Sequence, residues 1–273
     1  MILKSLNFEP SHLSNIESWH GHTFFVRDLI EWNRPNLIVE LGVHKGDSLL
    51  SIAQSCKDVG YTPNIVGIDH WRGDLHAGPV NMSNFGRVER IRNKYYSDSV
   101  TLLVRSFEDA LNDFDNDSID LIHLDGLHTY EAARQDFLNW IPKLKKDGIM
   151  LIHDTKSLDK NFGVAQLWNE VRKVYKHAEF EHSQGLAVLL GIDFKSKNNW
   201  ERHILTQETL NILNSYYSLL SAKLRLMRMA RKSKNPFDQQ QWRAGAEGIH
   251  KAAKYLSRAI SIPYWLRKYF KII

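Results

Sequence analysis

Six short runs of β-branched and aliphatic residues, separated by segments of helical periodicity, limit what the first 190 residues can fold into. They occupy residues 37–41, 65–69, 100–104, 119–124, 149–153 and 186–191, and several are apolar at nearly every position. A strand without a polar face is one covered by helices on both sides, so the pattern predicts parallel βαβ units in an α/β sheet. Residues 136–144 read as the end of a helix, with Phe137, Leu138, Ile141 and Leu144 near one face, and Lys145-Lys146-Asp147-Gly148 reads as its stop.

The pattern changes after Phe194-Lys195-Ser196-Lys197-Asn198-Asn199, where it becomes helical throughout. Leu210, Leu213, Tyr217, Leu220, Leu224 and Met227 follow spacings of three and four, the seam of a helix–helix contact that suits either the chain's own domain or a homo-oligomer. Arg231-Lys232-Ser233-Lys234-Asn235-Pro236 breaks that helix, and a second one is expected from about Trp242 to Ile260. The chain therefore divides into a domain at 1–193 and a helical extension at 194–273. Charge divides there as well: residues 194–273 carry 16 Lys+Arg and 4 Asp+Glu, a balance of +12, while residues 1–193 carry 20 and 27, a balance of −7. An acidic front with a basic tail suggests chemistry in one part and attachment to an anionic partner through the other. No recognised nucleic-acid motif accompanies the charge, so nucleic acid is not the expected partner.

The single cysteine, Cys56, excludes an intramolecular disulfide framework and fits a reducing compartment. The N-terminus lacks a sustained apolar h-region, and no run of about 18 apolar residues occurs. A cytoplasmic protein is expected, with peripheral contact at the inner face of the membrane as a role for the tail.

Val39-Glu40-Leu41-Gly42-Val43-His44-Lys45-Gly46 ends a strand and leads into the helix-like segment 47–54. A tight βα turn at the carboxyl edge of an open α/β sheet is where ligands bind. Gly42 lets the backbone turn and approach a ligand, and Gly46 lets the following helix pack closely. Asp69 ends the next strand, about 27 residues past Gly42, where a carboxylate can accept hydrogen bonds from ribose hydroxyls. Together these residues predict a site for a nucleoside-containing cofactor.

Asp120-Leu121-Ile122-His123-Leu124-Asp125-Gly126-Leu127-His128-Thr129-Tyr130 and Leu151-Ile152-His153-Asp154-Thr155 each bring acids and histidines to a strand end. Neighbouring parallel strands would converge Asp125, His128, His153 and Asp154 at one sheet edge. Such a set suits a divalent metal or proton transfer, which a hydroxyl acceptor needs because its pKa lies far above 7. His123 falls within its strand and reads as a packed, hydrogen-bonded histidine.

From about Ser18 to Gly191 these motifs resemble the bacterial class I methyltransferases associated with polysaccharide and glycan biosynthesis. The resemblance is carried by Ser18-Trp19-His20-Gly21-His22, the cofactor loop, Asp69-His70-Trp71-Arg72-Gly73-Asp74-Leu75-His76, Asp125-Gly126-Leu127-His128-Thr129-Tyr130-Glu131, His153-Asp154-Thr155, Phe162-Gly163-Val164 and Gly185-Leu186-Ala187-Val188. It implies a Rossmann-like seven-stranded sheet binding S-adenosylmethionine through Glu40, Gly42, Val43, Gly46, Ser48, Asp69, Trp71, Ser106, Phe107 and Asp125, with Ser106-Phe107 beside the adenine. The similar metal-dependent sugar O-methyltransferases imply Mg²⁺ or another divalent metal on Asp125, His153 and Asp154. Their catalytic acid, two residues past the first Asp, is replaced by Leu127, which leaves His128 as the base beside Asp125. Trp19, His22, His76 and Tyr130 are expected at the mouth, facing a glycan or nucleotide-sugar acceptor.

The reading is an O-methyltransferase for a sugar hydroxyl. The alternative is a cofactor-binding scaffold that partners a glycosyltransferase, and similar hydroxylase-type proteins add an oxidative alternative. The end of the chain, Ile260-Ser261-Ile262-Pro263-Tyr264-Trp265-Leu266-Arg267-Lys268, mixes aromatics with cations in the manner of an interfacial membrane segment.

Overall fold

A computed structural model describes residues 3–73, 82–195 and 199–261. Seven strands form one sheet in the order β3-β2-β1-β4-β5-β7-β6: β1 Leu37–Leu41, β2 Asn64–Asp69, β3 Val100–Val104, β4 Ile119–Leu124, β5 Leu144–His153, β6 Lys176–Phe180 and β7 Leu186–Leu190. The first five pair in parallel, and β7 runs antiparallel to both neighbours. The order reverses between β1 and β4, so the loops after these strands diverge and open a crevice between them.

Successive side chains of a strand face opposite layers. On β5, Ile149 and Leu151 join one hydrophobic cluster and Met150 and Ile152 the other. The first layer contains α1 Thr23–Asn33, α2 Asp47–Val59 and α3 Ser83–Tyr95; the second contains α4 Phe107–Ala110, α5 Tyr130–Trp140 and α6 Val164–Val171. This is the predicted Rossmann-like seven-stranded sheet.

Two boundaries differ from the sequence reading. Lys145-Lys146-Asp147-Gly148 does not stop a helix but opens β5: α5 ends at Trp140, a 3-10 turn covers Ile141–Lys143, and Leu144 pairs with Ile119. The charged residues are accommodated because Lys145 Nζ donates to Asp120 Oδ1 at 2.8 Å and the Lys146 N–H donates to Asp117 Oδ1 at 2.8 Å. β6 was not foreseen, since Lys176-His177-Ala178-Glu179-Phe180 alternates polar and apolar residues at the sheet edge, where one face is wet.

Beyond β7 lie α7 Trp200–Ile204, α8 Gln207–Lys232 and α9 Pro236–Ser261. α9 starts before the expected Trp242, with Pro236 at its first position, where a missing N–H costs nothing. α8 packs along α9, and its Leu213, Tyr216, Tyr217 and Leu220 are fully buried in the same cluster as Phe25 and Phe180. A buried polar knot joins the extension to the front of the chain. The Asp28 carboxylate accepts the Lys4 N–H (2.6 Å), the Ser5 N–H (2.9 Å), the Ser5 hydroxyl (2.6 Å) and the Tyr217 hydroxyl (3.0 Å). No helix among the described residues is long and apolar enough to cross a membrane. The aromatic and basic segment 262–273 lies outside the described residues.

Candidate active site

The β1–α2 turn is fixed by two contacts that only glycine permits. Gly42 has φ +95°, and a Cβ there would lie 1.9 Å from the Asp125 carbonyl oxygen. Gly46 has φ +81° and sits against Val88 of α3, where a Cβ would meet Val88 Cγ2 at 2.8 Å. The first contact brings the cofactor-type loop directly against the loop after β4.

Glu40 lies beneath this turn, fully buried, accepting from Ser48 Oγ at 2.7 Å and facing His123 Nδ1 at 3.1 Å. Burial raises its pKa, against the opposing pull of His123 and Ser48. The indole N–H of Trp19 donates to His123 Nε2 at 3.2 Å. An indole only donates, so Nε2 is the acceptor and the proton sits on Nδ1, facing Glu40. Asp69 organises the second loop: its carboxylate accepts the His44 N–H at 2.8 Å and the Trp71 N–H at 2.6 Å, and the Trp71 indole donates to the His44 carbonyl at 2.9 Å. His44 and Trp71 both have φ +48°.

These loops wall a cavity of ≈ 420 Å³, within the range of small-molecule sites. Of the residues singled out in the sequence, Trp19, Gly42, Val43, Ser48, Asp69, Trp71, Ser106, Phe107, Asp125, His128, His153 and Asp154 line it. Glu40 and Gly46 stand behind the wall, supporting it. His22 is fully buried away from the cavity, and Tyr130 turns outward, its hydroxyl donating to Glu170 at 3.0 Å. Neither is at the mouth. His76 lies outside the described residues. The cavity also takes in Asp47 and Asp136, which motif reading did not single out.

The acids and histidines after β4 and β5 meet at one end. His128 Nε2 lies 2.8 Å from Asp154 Oδ2 and 3.4 Å from Asp125 Oδ1, with its ring stacked on Phe162 at 4.3 Å between centroids. Phe162 belongs to the Phe162-Gly163-Val164 motif, to which the sequence assigned no role. A Cβ on Gly163 would lie 2.3 Å from the Tyr130 nitrogen, so this glycine allows the segment to fold over the loop after β4. His153 Nδ1 stands 3.1 Å from Asp154 Oδ2 and 3.3 Å from Asp125 Oδ1, charge contacts without hydrogen-bond alignment. Its Nε2 donates to the Ser183 carbonyl at 3.1 Å, an oxygen that also accepts from His22 Nε2 at 3.0 Å.

The electrostatics follow from this crowding. For Asp125, burial alone would raise the pKa, but His153, then His128, holds it well below the usual carboxylate range. For His128, burial opposes charge, and hydrogen bonds to Asp125 and Asp154 prevail, pushing it up to about 9. For His153, burial also opposes charge, and the Asp125 and Asp154 carboxylates raise it well above its ordinary value. His22, behind it, is pushed well down by burial and then by His182 and His153, and burial brings His182 to about 4. One charged imidazole is thus backed by two neutral ones.

Asp125, His128 and Asp154 each offer one ligand atom, all within 4.8 Å of one another. Two carboxylate oxygens and an imidazole nitrogen suit a divalent cation. The expected His153 presents its Nδ1 to the same two carboxylates, its Nε2 being committed to Ser183.

Residues 39–155 match the family described as Methyltransferase domain. An uncharacterized protein, y4gI, of Sinorhizobium fredii is 35% identical over 181 residues, which cover 66% of this chain and 20% of that protein. The chain thus spans about a fifth of the relative's length. Among solved structures, a putative caffeoyl-CoA O-methyltransferase from Staphylococcus aureus is 16% identical with a TM-score of 0.48, covering 62% of this chain and 82% of its own. A methyltransferase of Podospora anserina is 18% identical with a TM-score of 0.45, covering 66% and 80% respectively. The match over residues 39–155 spans most of β1 through β5 and takes in the loops that wall the cavity at the switch point.

Proposed function

We propose that the protein is an S-adenosylmethionine-dependent O-methyltransferase acting on a sugar hydroxyl of a glycan or glycan precursor. The observation that carries this reading is one cavity joining the Gly42 and Asp69 loops, suited to a nucleoside, to the Asp125, His128 and Asp154 cluster, suited to activating a hydroxyl. The close packing at Gly42 and the paired loop amides on Asp69 fit a cofactor held against backbone. The indoles of Trp19 and Trp71 in the wall, and the resemblance to sugar methyltransferases, support a sugar acceptor.

When bound, S-adenosylmethionine supplies a methyl group on a sulfonium sulfur. The acceptor oxygen forms the new O–C bond as the S–C bond breaks, and the hydroxyl proton passes to the cluster. Asp125 and Asp154 hold a proton on His128, and that proton passes to solvent through the cavity before the imidazole accepts the one from the acceptor hydroxyl. Asp125 and Asp154, with His153 Nδ1 at 3.3 and 3.1 Å from their oxygens, are the residues that would hold a divalent cation, whose contribution would be Lewis-acid polarisation of the hydroxyl, while His128 remains the base. Positioning of the acceptor in line with the methyl group supplies much of the rate.

The test is transfer from labelled S-adenosylmethionine to surface glycan of the parent organism, with and without EDTA. His128→Ala is expected to lower turnover by at least about 100-fold while cofactor affinity stays within about threefold. Undiminished turnover would remove His128 from the chemistry, and an absence of cofactor binding by calorimetry would favour the scaffold reading.

A further inference from the structure

We propose that Asp136 reads the exocyclic amino group of the cofactor's purine, making it a specificity-determining residue of the nucleoside site; this rests on the cofactor reading above. Asp136 sits on the second turn of α5 and reaches the cavity wall beside Phe107 and Gly126. The packing there is close: a Cβ on Gly126 would stand 2.5 Å from the Phe107 ring and 3.2 Å from Asp136 Oδ2. Gly126 thus lets an apolar ring and a carboxyl share one end of the cavity.

That end needs a polar reader, and the other side chains there are committed or wet. Ser106 caps α4: its hydroxyl accepts the Asp109 N–H at 3.1 Å and donates to Asp109 Oδ2 at 2.6 Å. Glu108 is exposed to solvent. Asp136 alone faces inward without an ion pair or hydrogen bond among the described residues, and burial alone pushes its carboxyl up to about 7. A half-neutral carboxyl offers an acceptor oxygen and, when protonated, an adjacent donor. Adenine presents an N–H donor beside a ring-nitrogen acceptor. The two patterns are complementary, and a carboxyl left unpaired in this pocket discriminates against a base without the amino group.

The experiment is calorimetric binding of S-adenosylhomocysteine and of its purine-riboside counterpart, which lacks the amino group. The intact protein should bind the adenine ligand about 10- to 100-fold more tightly. Asp136→Leu should lose most of that preference, while Asp136→Asn, whose carbonyl still accepts the N–H, should keep affinity within about threefold. An intact protein that binds both ligands equally overturns the proposal without recourse to any variant. A preference surviving in Asp136→Leu overturns it as well. Failure of the intact protein to bind S-adenosylhomocysteine at all overturns the cofactor reading itself.

Discussion

At the scale of single residues, Asp28 shows how a buried acid connects distant parts of the chain. Its carboxylate gathers four donors from the N-terminal segment and α8, yet burial outweighs them and raises its pKa to about 6. The folded chain therefore holds this proton more tightly than the unfolded one. The resulting stability is fully present below about pH 4 and lost as pH rises through about 6, roughly 3 kcal/mol in all. His22 and His182 oppose this: lowered by burial, they favour the fold above about pH 6.5 and cost stability as pH falls toward 4. Urea midpoints from pH 4 to 7 are thus best compared between the wild type and Asp28→Asn. The stability difference should shift against the wild type across that window, and a constant difference would contradict the assignment.

At the scale of elements, the β1–α2 turn and the loop after β4 are locked together at Gly42. Gly42→Ala combines a left-handed φ with a Cβ 1.9 Å from a backbone oxygen, so it should cost at least about 3 kcal/mol. A thermal melt would register this as a lowered midpoint, accompanied by weakened cofactor binding. The turn itself was legible in the sequence because glycine at a strand end has few other uses. Six strands, β1 to β5 and β7, were legible as apolar runs, the inner ones because two covered faces leave no polar side. β6 was not, because Lys176-His177-Ala178-Glu179-Phe180 alternates as a surface segment does where the other edge strand, β3, is an apolar run, and the start of β5 was hidden by lysines whose partners, Asp117 and Asp120, lie 25 or more residues upstream. Within the site, strand-end acids and histidines announced themselves by type. Tyr130 was misplaced because one step in helical phase turned it from the cavity toward Glu170, and Asp136 passed as an ordinary helical acid because its exposure depends on Gly126 and Phe107.

At the scale of the whole molecule, the helical extension shares the core of the sheet domain. Trp200 stacks on Trp32 at 5.5 Å, and Tyr217 packs against Phe25 and Phe180. A chain ending at residue 195 would expose these aromatics, each worth about 2 kcal/mol of burial. It should lose its cooperative urea transition and associate on size exclusion; a sharp transition with an unchanged midpoint would show instead that the front folds alone. Below the cavity, the fully buried His123 of β4 ties the front segment to the sheet. With one nitrogen engaged by Trp19 and the other facing Glu40, its ring has no second tautomer available without losing a bond. The ring is a spacer: it holds the Trp19 indole of the cavity wall and the Glu40 carboxylate behind the β1–α2 turn at one fixed separation.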